Sequence, residues 1–110
     1  MEIDYQDFLK LDIRVGLVKS CEKVQKSNNL YKLMVDCGGK DLKQIITGIA
    51  KYYTAKELIN EKIVILTNLK PRKFMGLISE GMLLAADLNN EPFLLKIDER
   101  KPVPPGSKIK

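Results

Sequence analysis

Apolar residues in this chain recur at every second position, in runs too short to be anything but single strands. Ile13, Val15 and Leu17 alternate with Arg14 and Gly16, and Tyr31, Leu33, Val35 and Cys37 alternate with Lys32, Met34 and Asp36. Side chains on an extended backbone point to opposite faces in turn, so this period describes strands with one face buried. A third run, Gln44 to Ile49, is rich in β-branched residues. A fourth, Lys62 to Asn68, is almost continuously apolar, as a central strand covered on both faces would be. Two more strands are expected at Gly81 to Ala86 and Pro92 to Ile97, separated by a turn at Asn89-Asn90. Gly38-Gly39 reads as a hairpin turn, and Lys26-Ser27-Asn28-Asn29 as a loop.

Helical code is scarce. Thr54-Ala55-Lys56-Glu57 matches a capping box, in which the threonine oxygen and the glutamate carboxylate satisfy the first free amides of a helix. It predicts one short helix, with Leu58 and Ile59 facing the strands. Asp4 to Leu11 predicts a short N-terminal helical turn that packs Phe8 and Leu11. Pro102-Val103-Pro104-Pro105-Gly106 reads as a turn into a last extended segment, Ser107 to Lys110. Five or six short strands interrupted by one helix predict a compact all-β barrel. With 110 residues, 45% of them hydrophobic, the chain is read as one domain over 1–110.

The chemistry open to such a barrel is narrowed by what the sequence lacks. Without a histidine, the commonest general base is missing, and with it every Ser-His-Asp or Cys-His arrangement. Cys21 and Cys37 fit no zinc spacing and read as small, reduced packing residues. Gly38-Gly39-Lys40 lacks the glycine spacing of a phosphate loop. The chain is therefore read as a non-catalytic binding module, with no cofactor, metal or small-molecule substrate. Met1 to Lys10 has neither the basic nor the apolar region of a signal peptide, and no window is long and apolar enough to cross a bilayer. That pattern reads as cytoplasmic.

Charge supplies the positive signal. Nineteen Lys and Arg stand against 14 Asp and Glu, a net charge of +5, which favours polyanionic partners, nucleic acid before membrane. Three of these cations, Lys70, Arg72 and Lys73, fall within four positions directly after the fourth apolar run. Pro71 fixes its own φ and biases Lys70 toward an extended backbone, so the cluster is held near the barrel mouth. Close like charges repel, and a phosphate backbone would neutralise them. A guanidinium can take phosphate through two parallel bonds, while lysines act as point charges.

The motifs around this cluster closely resemble the tRNA-binding domain family. They are Phe8-Leu9-Lys10-Leu11-Asp12-Ile13-Arg14-Val15-Gly16, Leu30-Tyr31-Lys32-Leu33, Ile49-Ala50-Lys51-Tyr52-Tyr53-Thr54, Asn68-Leu69-Lys70-Pro71-Arg72-Lys73 and Ser79-Glu80-Gly81-Met82-Leu83-Leu84-Ala85-Ala86. The family includes the C-terminal domain or β-subunit of methionyl-tRNA synthetases and free-standing structure-specific tRNA-binding proteins. The resemblance implies a five-stranded OB-fold Greek-key barrel with one connecting helix and a C-terminal extension. It also implies homodimerisation and recognition of tRNA by shape, as a trans cofactor for aminoacylation or as a synthetase subunit. The other branch on this barrel is a CsaA-like protein-binding chaperone, which would need an apolar groove for peptide.

Carried over position by position, the resemblance implies that Lys32, Lys51, Asn68, Lys70, Arg72, Lys73, Ser79 and Met82 face RNA, with Arg14 and Asn29 as weaker candidates. Each has a plainer role open to it. Lys32 is equally a solvent lysine on the outer face of its strand. Asn68 is equally a strand-end cap, Ser79 a loop hydrogen bonder, and Met82 core filler.

Overall fold

The alternating runs become strands of one antiparallel sheet in the computed structural model, which describes residues 1–110. In chain order the elements are α1 (Tyr5–Phe8), β1 (Ile13–Lys23), β2 (Tyr31–Asp36), β3 (Lys43–Thr47), α2 (Ala55–Leu58), β4 (Lys62–Leu66) and β5 (Arg72–Phe74). β6 (Leu77–Ser79), β7 (Met82–Leu83), β8 (Ala85–Leu88) and β9 (Glu91–Leu94) follow. Five strands form the main sheet in the order β3-β2-β1-β4-β7, and β5–β6 and β8–β9 are separate hairpins. The sheet curls into the nearly closed five-stranded barrel expected of the OB fold.

β1 is the longest strand because it serves two partners. Its first part pairs with β4, Val15 opposite Val64, and its second part pairs with β2, Cys21 opposite Leu33. Between Val18 and Ser20 the register slips, leaving Lys19 as an extra residue that bends the strand from one wall into the next. Gly16 lies where the walls meet: a Cβ there would come within 2.6 Å of a Val35 methyl and 2.8 Å of Ile65 Cγ1. The interior is filled by Val18, Leu33, Val35, Ile45, Ile63 and Ile65, all fully buried.

Helix α2 plugs this core with one side chain. The capping box forms as expected, Thr54 Oγ1 accepting from the Glu57 amide at 3.2 Å and Glu57 Oε1 from the Thr54 amide at 3.0 Å. Leu58 is buried, but Ile59 is 39% exposed, against the expectation that both would face the barrel. The reason is local: Ile59 already has extended backbone and has left the helix. Phe8 is half-buried and Leu11 exposed, so α1 packs more loosely than expected.

The C-terminal segment completes the free edge of β1. Gly106 donates to the Val15 carbonyl at 2.8 Å, Val15 to Ser107 at 2.9 Å, and Ile109 to Ile13 at 2.8 Å. Gly106 and Gly38 abut so closely that a Cβ on either would meet the other's Cα at 2.6 Å. The expected strand Gly81 to Ala86 is split into β7 and β8, because Leu84 donates to Val64 and ends the barrel before the chain turns outward. Asn89 and Asn90, both with positive φ, form the β8–β9 turn where it was expected. No helix is long and apolar enough to cross a membrane.

Candidate nucleic-acid interface

The basic segment begins from an anchored point. At the end of β4, the Thr67 amide donates to the Asp12 carbonyl at 2.8 Å and its hydroxyl to Asp12 Oδ2 at 2.9 Å. Asn68 Oδ1 accepts from the Asp12 amide at 2.8 Å, and Asn68 Nδ2 donates to the Lys10 carbonyl at 2.7 Å. The chain therefore leaves the barrel in a fixed direction. Seven residues after Asn68 it reverses, because Met75 and Gly76 take φ of +52° and +82° and make a two-residue turn. The segment that carries Arg72 and Lys73 is thus a hairpin, β5–β6.

This hairpin is fastened to β3 across the barrel seam. Ser79 is 4% exposed; its hydroxyl accepts from the Ile46 amide at 3.0 Å and donates to the Gly81 carbonyl at 2.9 Å. Glu80 bonds Gln44 twice, its amide to the Gln44 carbonyl and its carboxylate to the Gln44 amide, both at 2.7 Å. The Gln44 side-chain amide donates to the Ile78 carbonyl at 2.9 Å. Consecutive residues Ile45 and Ile46 are both buried, the first by the barrel interior and the second by the hairpin outside it.

On this fixed base Lys70, Arg72 and Lys73 are all exposed, and none has a carboxylate partner within 4.0 Å. The Arg72 guanidinium lies 4.9 Å from the centre of the Phe74 ring, which orients it without neutralising it. Lys70, Arg72, Phe74 and Met82 border one small hollow of about 40 Å³. Lys73 alternates to the hairpin's other face. The cluster is two cations on one side and one on the other.

The remaining candidates divide. Lys32 lies beside Ile46 on the outer wall, 4.0 Å from Glu22, and borders a second hollow with Met75 and Leu77. Asn29 and Lys51 meet, the Asn29 side chain accepting from the Lys51 amide at 3.4 Å. Arg14 points elsewhere: Nε is 2.8 Å from Asp12 Oδ1, and its guanidinium also donates to the Gly106 carbonyl at 3.0 Å. Arg14, Asn68 and Ser79 thus have internal partners.

Asp12 is the organiser that sequence reasoning missed. Burial alone would raise its pKa, but bonds from Lys108, Thr67 and Arg14 prevail and hold the carboxyl below its ordinary value. The sign of this role in the sequence is faint: one acid beside a strand start, with its partners far along the chain. The largest hollow, about 530 Å³, lies beside Asp12 and Arg14 and is closed by Lys40, Lys43 and Gly106, away from the rim. Burial, with the nearby charge of Glu22, pushes the Cys21 thiol up to about 11, so it is protonated at neutral pH and a poor nucleophile.

Comparison with known proteins agrees with this geometry. The family model described as "Putative tRNA binding domain" matches residues 13–108. The methionine–tRNA ligase of Archaeoglobus fulgidus is 48% identical over 108 residues, 98% of this chain but 16% of that protein. That of Methanosarcina acetivorans is 44% identical over 109 residues, 99% of this chain and 15% of the enzyme. The chain spans about a sixth of the length of these relatives. Among solved structures, a MetRS-related protein from Pyrococcus horikoshii superposes with a TM-score of 0.89 at 38% identity, covering 100% of both chains. A CsaA chaperone protein from Picrophilus torridus superposes with a TM-score of 0.87 at 34% identity, covering 99% of this chain and 100% of the other.

Proposed function

This chain belongs to the tRNA-binding domain family, and on that premise we propose that it captures tRNA by its shape and leaves the chemistry to a synthetase. The observation that supports this most is the rim: three exposed cations without carboxylate partners, on a hairpin fastened to the barrel and on the segment leading into it. Such a rim can follow the sugar-phosphate outline of a folded RNA, whose deep groove side chains cannot read. Arg72 takes phosphate through two bonds, while Lys70 and Lys73 add charge from either side. Lys32, Lys51, Asn29 and Met82 extend the surface. Ser79, Asn68 and Arg14 act beneath it as positioning residues, since their polar atoms already have internal partners.

A barrel without histidine, whose more exposed thiol is protonated, has no evident nucleophile and base pair. Aminoacylation would come from a methionine–tRNA ligase that the module belongs to or accompanies in the cytoplasm. A homodimer fits this role, because two rims related by a twofold axis bind one RNA with greater avidity. The β8–β9 hairpin supports it: Leu88 is 60% exposed and Phe93 and Leu95 are each 43% exposed.

The similarity to a CsaA chaperone, together with this exposed apolar hairpin, favours capture of unfolded polypeptide as the second reading. A gel-shift titration with tRNA, an unstructured RNA of equal length and duplex DNA separates the two. The tRNA should bind most tightly. Equal affinity for all three would remove shape recognition, and capture of unfolded polypeptide that tRNA does not compete would install the chaperone reading.

A further inference from the structure

The free end of the basic hairpin is apolar, and its backbone is unusual. With positive φ at both Met75 and Gly76, the turn is the type I′ form, for which Asn-Gly is the favoured pair. Asn60, Asn89 and Asn90 hold left-handed positions elsewhere in the chain, and only Lys26 joins Met75 as a longer side chain in that region. A long side chain there is disfavoured. Burial does not compensate, because Met75 is 58% exposed. An outlier of this kind directs attention to what the side chain touches.

Met75 and Leu77 border an open hollow of about 250 Å³, lined also by the buried Val24 and by Lys23, Gln25, Lys32 and Glu22. Lys23 has no ion pair, and Lys32 approaches Glu22 only at 4.0 Å. The site therefore combines an apolar floor with two cations against one carboxylate. An apolar peptide segment gains nothing from that excess positive charge, whereas a nucleotide offers a flat apolar ring and an anionic phosphate together. The volume is below the roughly 300–1,000 Å³ of pockets for drug-sized ligands and suits a single ring system.

We propose that this hollow is a slot for one unstacked nucleobase of the bound RNA. The Met75 thioether packs on the ring, Leu77 and Val24 form the floor, and Lys23 and Lys32 hold the flanking phosphates. The proposal rests on the tRNA-binding reading and deepens it: the rim follows the backbone, and the slot takes a base splayed from a loop or end. A flexible thioether adapts to different rings, so the slot takes purines and pyrimidines with little preference.

Met75→Asn tests the slot without endangering the fold, because it restores the favoured turn pair. Three probes are titrated against the full chain: intact tRNA, a short oligoadenylate, and a ribose-phosphate oligomer of the same length lacking bases. The unaltered protein should bind the oligoadenylate about tenfold more tightly than the abasic oligomer, a difference of order one hydrophobic contact. Met75→Asn should lose most of that difference while its Tm stays level or rises. Equal affinity for the two oligomers, or a difference that survives the substitution, overturns the slot, and tRNA binding in the same series shows the rim reading intact. No binding of any RNA overturns both. Displacement of the oligoadenylate by an unfolded, reduced polypeptide whose own binding depends on Met75 assigns the hollow to peptide and likewise ends the proposal.

Discussion

Two hairpins stand outside the main sheet, and they are finished in opposite ways. β5–β6 is fastened to β3 through Ser79, Glu80 and Gln44 and displays cations. β8–β9 is held by the Tyr53 hydroxyl, which bonds the Pro92 carbonyl at 3.4 Å and accepts from the Leu94 amide at 3.2 Å, and it displays Leu88 and Phe93. On the proposed function, the difference follows from what each surface would attract. Phosphates are spaced along a backbone, so cations that meet them must be positioned. Apolar attraction is non-directional and scales with area, so the second hairpin needs extent more than rigidity.

The sharpest way to break this comparison is to remove the charge from one side of it. Replacing Lys70, Arg72 and Lys73 together with alanine should lower tRNA affinity roughly 100-fold at physiological salt and flatten the log-log salt slope by about 2–3. Thermal stability and self-association should be unchanged, as filter binding, melting and sedimentation will show. Loosening the fastening is the next step. Ser79→Ala leaves the Ile46 amide buried without a partner, and urea melts should show a loss of about 1–3 kcal/mol with weaker tRNA binding. A variant as stable as the parent would mean that the seam does not hold the rim.

Charging the other hairpin should produce the reverse pattern. Leu88→Glu with Phe93→Glu should shift sedimentation from dimer to monomer and weaken tRNA binding only through lost avidity, about tenfold. A monomeric parent would remove the proposed role of that surface. The smallest effect concerns Asp12, whose lowered pKa makes it stabilising when ionised. Such a group contributes fully above its unfolded value, and the contribution disappears as pH falls through the folded one. Asp12→Asn should therefore cost about 1 kcal/mol at neutral pH, with the two melting curves converging as the solution is acidified below the ordinary carboxylate range.

Strands β1 to β4 and the capping box were legible because their signals are local: alternation shows within a few residues, and a box spans four. The β5–β6 hairpin was not, since Arg72-Lys73-Phe74 is too short to show a period and Met75-Gly76 is an uncommon turn pair. The basic cluster was visible as a run of charge, but its division between two hairpin faces depends on that unread pairing. The internal partners of Ser79 were not legible either. A serine in a polar segment looks like a surface donor, and only the approach of Ile46 from a distant strand makes it internal. Asp12 was missed for the same reason, as its partners Thr67 and Lys108 arrive from far along the chain.

The barrel's last joint, between β3 and residues 78–81, has one backbone bond and relies otherwise on side chains of Ser79, Glu80 and Gln44. An ordinary ladder would share the load among many amides; this one concentrates it on three side chains. The Gln44 and Ile46 amides should then exchange with solvent ahead of those inside the β1–β2 ladder. Arg72 stands opposite Ser79 in the β5–β6 ladder, so the side chains that close the barrel also set where that guanidinium stands.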